Sequence, residues 1–374
     1  MLFDCGKDHT LVVINGELYA CGNNKYGQLG FNVSFDVKTF TKVPYSFDES
    51  GIKSVKCGDG FSLVLTNSGN LYACGYNDFK DHIHRLKYYD ETSSEDYDYY
   101  YEWNYNNGSY NDYEEHYCDD ICLHTFVQLS NLNDISFIDC HGGYIIATSS
   151  NKIYHLGKYL MTTTPNQIYE SSIPTEVECD LDYIYSINCG QYFCIILDDS
   201  GLYKYEYYHD KKCERMQFSE YHLIKDVHCT FYTHSIIISL KNSKILYIDL
   251  NKNNNPDEII DNIIDPYIFP NYPYICIFDK QLPISKIYEY YSIHNIIKEI
   301  SYQITNIKYI IGSKESNNMF LITDDHKVYC KGHGSNLGIN DMSCPSFQLH
   351  DFLTNANLDI LCTKFLKTKS ANKI

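Results

Sequence analysis

Cys5-Gly6-Lys7-Asp8-His9-Thr10-Leu11-Val12-Val13 runs into a turn at Asn15-Gly16 and returns as Glu17-Leu18-Tyr19-Ala20-Cys21-Gly22-Asn23-Asn24, closed by Tyr26-Gly27-Gln28-Leu29-Gly30. Two short apolar runs joined by Asn-Gly predict a β-hairpin, because both central residues of that tight turn need positive φ. The phrase recurs along the chain, and the recurrence decides the fold.

The most regular mark is an aliphatic residue followed by Tyr in the second strand of each hairpin. It falls at Leu18-Tyr19, Leu71-Tyr72, Ile153-Tyr154, Leu202-Tyr203, Leu246-Tyr247, Ile287-Tyr288 and Val328-Tyr329. The Tyr residues are spaced 53, 82, 49, 44, 41 and 41 apart. An apolar run precedes each, among them Leu63-Val64-Leu65, Ile195-Ile196-Leu197 and Ile236-Ile237-Ile238. Ahead of most runs lies an alternating phrase ending in Cys, such as Ile52 to Cys57, Ile135 to Cys140, Ile184 to Cys189 and Ile224 to Cys229. Continuous runs suit inner strands buried on both faces, and alternating ones suit outer strands with one wet face. Repeats of this size, each a few short strands, predict an all-β fold, a β-propeller, and seven units predict seven blades. The expected domain is a single propeller over 1–374.

The spacing of 82 marks an insertion over 80–125, in blade two. From Tyr88 to Tyr117 it holds ten Tyr, nine Asp/Glu and no Lys or Arg. Such a composition has too little to bury and is expected to be disordered.

Net charge is −18 and Arg occurs only at Arg85 and Arg215. That balance argues against nucleic acid, whose phosphates call for clustered cations, and against anionic lipid. No run of about 18 apolar residues predicts a transmembrane helix, and no signal peptide is visible at the N-terminus. The expectation is an intracellular monomer, cytoplasmic or nuclear, whose 16 cysteines are reduced thiols.

The phrases Cys-Gly-x-x-His-Thr-Leu, Gly-x-Leu-Tyr-Ala-Cys-Gly-x-Asn and Tyr-Gly-Gln-Leu-Gly resemble the regulator-of-chromosome-condensation repeat family. The match is sharpest over 4–30, holds through Tyr76-Asn77, weakens in units five and six, and returns at Gly332 and Asn336-Leu337-Gly338. The family usually carries Trp where this chain has Cys21, Cys74 and Cys330; its only Trp is Trp103, in the insertion. The motif His stands at His9 and His234 and is Phe61, Tyr144 and Phe193 elsewhere. The resemblance implies a propeller of the regulator-of-chromosome-condensation type that binds a protein partner through one ring face. It also implies an alternative, nucleotide exchange on a Ran-like small GTPase, to which an acidic residue after the Gly contributes. Asp59 matches that residue type at that place.

Candidate partner-binding residues are therefore Lys7, Asp8, Asp59 and Gln191 in the turns after Cys-Gly, with Trp103 on the insertion. The structural alternative for Asp59 is that Asp favours tight turns. Cys5, Cys57, Cys140, Cys189 and Cys229 hold one position in successive units and read as small apolar packing residues near the axis. His116-x-Cys118-x-x-x-Cys122-x-His124 has soft ligands but lacks a Cys-x-x-Cys knuckle, so no metal is expected. His9 reads as a residue locking its own turn. No nucleophile elbow, zinc-protease motif or phosphate loop occurs, so neither enzymatic chemistry nor a cofactor is expected. The acidic, aromatic insertion favours a basic protein partner.

Overall fold

Asn15 and Gly16 both take positive φ, 52° and 82°, and the tight turn joins β2 (His9–Ile14) to β3 (Glu17–Gly22) in register. With β1 (Phe3–Cys5) and β4 (Val37–Lys42) these form an antiparallel sheet in the order β1-β2-β3-β4. The computed structural model describes residues 2–76 and 122–356, with breaks at 130–131, 133, 142–143, 150, 161–167, 191–192, 207–212, 230–233, 251–255, 261–265, 272–273, 280–283, 292–295, 314–315 and 341–343. Among the described residues this sheet is repeated, to give seven four-stranded sheets, each of four consecutive strands.

The first strands of the later sheets are β5 (Ile52–Cys57), β9 (Phe137–His141), β13 (Ile184–Cys189), β17 (Ile224–Cys229), β21 (Pro266–Asn271) and β25 (Ile307–Gly312). Each lies against the first strand of the next sheet, and β25 lies against β1. The sheets therefore stand in a closed cycle, which is an all-β propeller. The seven aliphatic-Tyr phrases all fall on third strands: β3, β7 (Leu71–Tyr76), β11 (Lys152–Leu160), β15 (Leu202–Glu206), β19 (Ile245–Asp249), β23 (Ile284–Tyr291) and β27 (Val328–Gly332).

One expectation is reversed. The alternating, Cys-ending phrases form the innermost strands, and the continuous apolar runs form the second strands. The partly exposed positions of β5, β13 and β17 therefore lie on innermost strands rather than outer ones. All six residues of β2 are buried. Leu11 and Val13 pack toward the second sheet, while Val12 and Ile14 pack toward the seventh. Period-two alternation thus serves two neighbouring sheets at once. The core is a series of such interfaces.

Near the axis the ties are polar. Asp4 Oδ2 accepts the Cys57 N–H at 2.8 Å, and Asp139 Oδ2 accepts the Cys189 N–H at 2.7 Å. Lys56 Nζ meets Asp139 Oδ1 at 2.7 Å, with the carboxylate almost fully buried. Burial alone would lower the Lys56 pKa, but the carboxylates of Asp139 and Asp4 outweigh it and raise it. The axial cysteines are more than packing. The Cys57 thiol donates to Asp4 O at 3.4 Å and the Cys229 thiol to Asn188 O at 3.1 Å, each toward the preceding sheet.

A second correction concerns the thiols. Among the described cysteines eleven are free and buried, whereas Cys179 and Cys213 form a disulfide. The reduced state expected of all sixteen does not hold for this pair.

Candidate functional site

The Tyr-Gly-Gln-Leu-Gly phrase shows how one repeat grips the next. Its Gln28 carbonyl accepts from the Ser62 hydroxyl at 2.6 Å and from the Cys74 thiol at 3.4 Å, both in the second sheet. The same clasp closes the ring between its last and first sheets. There Asn336, in the short helix α1 (Gly334–Leu337), offers its carbonyl to Thr10 Oγ1 at 2.5 Å and Cys21 Sγ at 3.6 Å. Leu29 and Leu337 are fully buried beside their clasps. His9 is part of this device: its Nε2 lies 2.9 Å from Ser62 Oγ, so it pins two sheets together rather than locking its own turn. Its burial pushes its pKa down to about 4.

The clasps set the loops at one end of the seventh, first and second sheets side by side. Lys7 Nζ, after β1, lies 3.5 Å from Asp59 Oδ1, after β5, and both side chains are about half exposed. Asn336 Nδ2 donates to Lys7 O at 3.4 Å. The Asp8 carboxyl is pushed up, first by partial burial and then by the carboxylates of Asp59 and Asp36, against the opposing pull of Lys7 and His333. Tyr26 meets Tyr76 edge to face at 5.5 Å, and Lys25 Nζ sits 5.6 Å over the Tyr26 ring. The result is a mixed-charge, aromatic patch across three sheets.

Of the residues singled out from the sequence, Lys7, Asp8 and Asp59 come together here. Gln191 and Trp103 lie outside the described residues, as do His116 and Cys118 of the His–Cys cluster. Tyr26, Tyr76, Asp36 and His333 were not anticipated. The signal for the first three was topological: in an antiparallel sheet the third-to-fourth connection emerges at the same end as the first-to-second. The insertion leaves after Tyr76 and returns at Cys122, which pair directly across β7 and β8 (Cys122–Gln128). It therefore springs from the edge of this patch. Among the described residues no group of three His, Cys, Asp or Glu side chains could hold a metal ion, and no helix is long and apolar enough to cross a membrane.

A family model of the "Regulator of chromosome condensation (RCC1) repeat" matches residues 15–65, and a second model of the same description matches 52–80. Residues 15–80 are thus similar to regulator-of-chromosome-condensation repeats, and the fold that carries them is a propeller. It is 40% identical over 75 residues to the secretion-regulating guanine nucleotide exchange factor of Bos taurus, covering 20% of this chain and 16% of that protein. It is 39% identical over 72 residues to the RCC2 homolog of Xenopus laevis, covering 19% and 14%. It is 38% identical over 74 residues to the X-linked retinitis pigmentosa GTPase regulator of Homo sapiens, covering 20% and 7%. The matches thus span a small part of each relative. Among solved structures it is similar to Prp20p from Saccharomyces cerevisiae, described with its binding properties to Gsp1p and histones. That likeness has a TM-score of 0.63 at 12% identity, over 89% of this chain and 85% of the other, and it speaks to fold.

Proposed function

We propose that this protein is a non-catalytic scaffold, a single seven-bladed propeller that works inside the cell and binds a basic protein partner through one ring face. The observation that carries the reading is the convergence of Lys7, Asp8, Asp59, Tyr26 and Tyr76 on one face, at the root of the acidic, Tyr-rich insertion. Exposed acids beside half-buried rings attract Lys- and Arg-rich surfaces, and the acids repel phosphate backbones. An exposed ion pair such as Lys7–Asp59 adds little stability, so its place on this face is not explained by folding alone.

A second reading is nucleotide exchange on a Ran-like small GTPase. It is favoured by two names among the relatives, an exchange factor and a Gsp1p-binding propeller. Exchange needs no acid–base residue, only a loop that opens a nucleotide site. One experiment separates the readings. Purified protein is tested for release of labelled GDP from a Ran-like GTPase, and for capture of prey by wild type, Asp59→Lys and a control altered at Lys152 on another sheet. Scaffold function predicts no release, and salt-sensitive prey lost only on Asp59→Lys. Stimulated release, abolished by Asp59→Lys, establishes exchange instead. Prey that is indifferent to Asp59→Lys removes this face from both readings.

A further inference from the structure

Cys179 and Cys213 stand apart from every other described cysteine. Eleven others, from Cys5 to Cys344, are free and buried. Burial holds Cys5, Cys21, Cys57, Cys74 and Cys194 far toward the protonated thiol. A protonated, buried thiol neither attacks a disulfide nor meets an oxidant. Cys179 and Cys213 are only partly buried, at the rim of the cluster between the third and fourth sheets. Their Cα atoms are 5.4 Å apart, across 34 residues of chain, within the range a disulfide spans. Cys213 lies in Lys211-Lys212-Cys213-Glu214-Arg215, three cations against one acid, whereas Cys179 lies between the two acids Glu178 and Asp180. Flanking cations favour the thiolate and flanking acids oppose it, so Cys213 is the better nucleophile of the two.

We propose that Cys179 and Cys213 are a redox-responsive modification site, the one pair of described cysteines that a low-molecular-weight disulfide such as glutathione disulfide oxidises reversibly. The Cys213 thiolate attacks one sulfur of glutathione disulfide, forming a mixed disulfide and expelling one glutathione thiolate. Cys179 then gives up its proton and displaces the second glutathione. The two protein thiols are oxidised, two glutathione thiols are formed, and the two protons end on them. Excess glutathione reverses both steps. The element under control is β16 (Cys213–Arg215), the three-residue outermost strand of the fourth sheet, which pairs with β15 over Tyr203 to Tyr205. The bond ties this short edge to the connector between β12 (Ile168–Val177) and β13. Its loss leaves the edge tied to the ring by strand pairing and by Arg215, whose guanidinium donates to the Ser200 carbonyl and lies over the Tyr221 ring.

The test uses the full chain equilibrated in buffers of graded glutathione to glutathione-disulfide ratio, quenched by alkylation and mapped by mass spectrometry. The expected result is a cross-linked 179–213 peptide that rises and falls with the ratio, while the other described cysteines stay alkylated throughout. Oxidised wild type should show slower hydrogen exchange at 213–216 than reduced wild type, with a melting temperature higher by a few degrees. Cys179→Ser should leave Cys213 carrying glutathione instead. Three outcomes overturn the proposal: a bond that persists at every glutathione ratio, a bond that never forms, or oxidation that reaches one of the buried cysteines first. The mapping needs only wild-type protein, so it decides even where a variant fails to fold.

Discussion

His9 is fully buried and holds Ser62 across a sheet boundary, so its protonation state is a stability variable. Its pKa falls from 6.5 to about 4 on folding because burial disfavours the cation. The unfolded chain therefore takes up the proton first as pH drops. The stabilisation is complete above pH 6.5, erodes between about 6.5 and 4, and is then exhausted, with a ceiling of about 3 kcal/mol. Denaturant titrations at pH 7 and 4.5 should show this loss, and His9→Phe should largely abolish it. Phe is tolerable here because Phe61 opens β6 (Phe61–Thr66) as His9 opens β2. Asp48 acts in a separate window. Burial opposes its ionisation, but hydrogen bonds from Ser50, Thr66, Ser68 and Asn70 prevail and hold its carboxyl well below the usual range. That contribution is whole above about pH 4 and is lost as pH falls further, so Asp48→Asn should flatten the most acidic part of the stability profile. The positions of His9 and Asp59 were legible in the sequence because each stands at a set offset from the Gly of its Cys-Gly phrase, His9 three residues after Gly6 and Asp59 one after Gly58. The partner of His9 was not, since Ser62 belongs to the next repeat and nothing local records the contact. The pairing of Cys179 with Cys213 was equally hidden, because it joins a connector to the edge of the fourth sheet at places with no repeat phrase.

Third strands end where neighbouring loop backbone crosses them, and that crossing explains a glycine. Gly22 has φ of 112°, and a Cβ there would stand 2.4 Å from Asp8 O, a backbone atom that cannot step aside. Gly16 also has positive φ, at 82°, but open space around its missing side chain. Gly16→Ala should therefore cost about 1–2 kcal/mol for its backbone angle alone, and Gly22→Ala distinctly more, as thermal melts of the two variants will reveal. Between innermost strands, the Lys56–Asp139 pair bridges β5 and β9 at 2.7 Å. Lys56→Met leaves a buried carboxylate short of its cation and should cost about 3 kcal/mol, whereas adding Asp139→Asn should recover part of the loss. Strand identity was readable from the aliphatic-Tyr phrase, which sits at one place in every sheet. Strand depth was misread, because alternation reports a wet face without saying whether the water lies outside the ring or along its axis.

Closure of the ring depends on sheets that no short connection joins. The seventh and first sheets meet through the Asn336 clasp, a hydrogen bond of 2.8 Å from Ser313 Oγ to Gly6 O, an isolated bridge between Thr39 and Ile339, and a shared apolar cluster. The repeat phrases are fullest in the first, second and seventh units, the places where this clasp is made. Repetition made the architecture legible from the sequence, whereas the face that gathers Tyr26, Tyr76 and His333 depends on loop positions that only the assembled ring defines. Removing 77–121 and joining Tyr76 to Cys122 through a two-residue turn should leave the melting temperature within a few degrees of wild type, because these two residues already pair across β7 and β8. A melt lowered by far more would mean that the removed segment packs on the ring. The same pairing has a practical consequence. The two ends of the interruption lie one strand spacing apart, about 5 Å, so the position can receive any guest whose own ends meet. A fluorescent reporter or a peptide tag grafted there would ride beside the patch of Lys7, Asp59 and Tyr26 without opening a sheet, and its signal would report on anything that docks there.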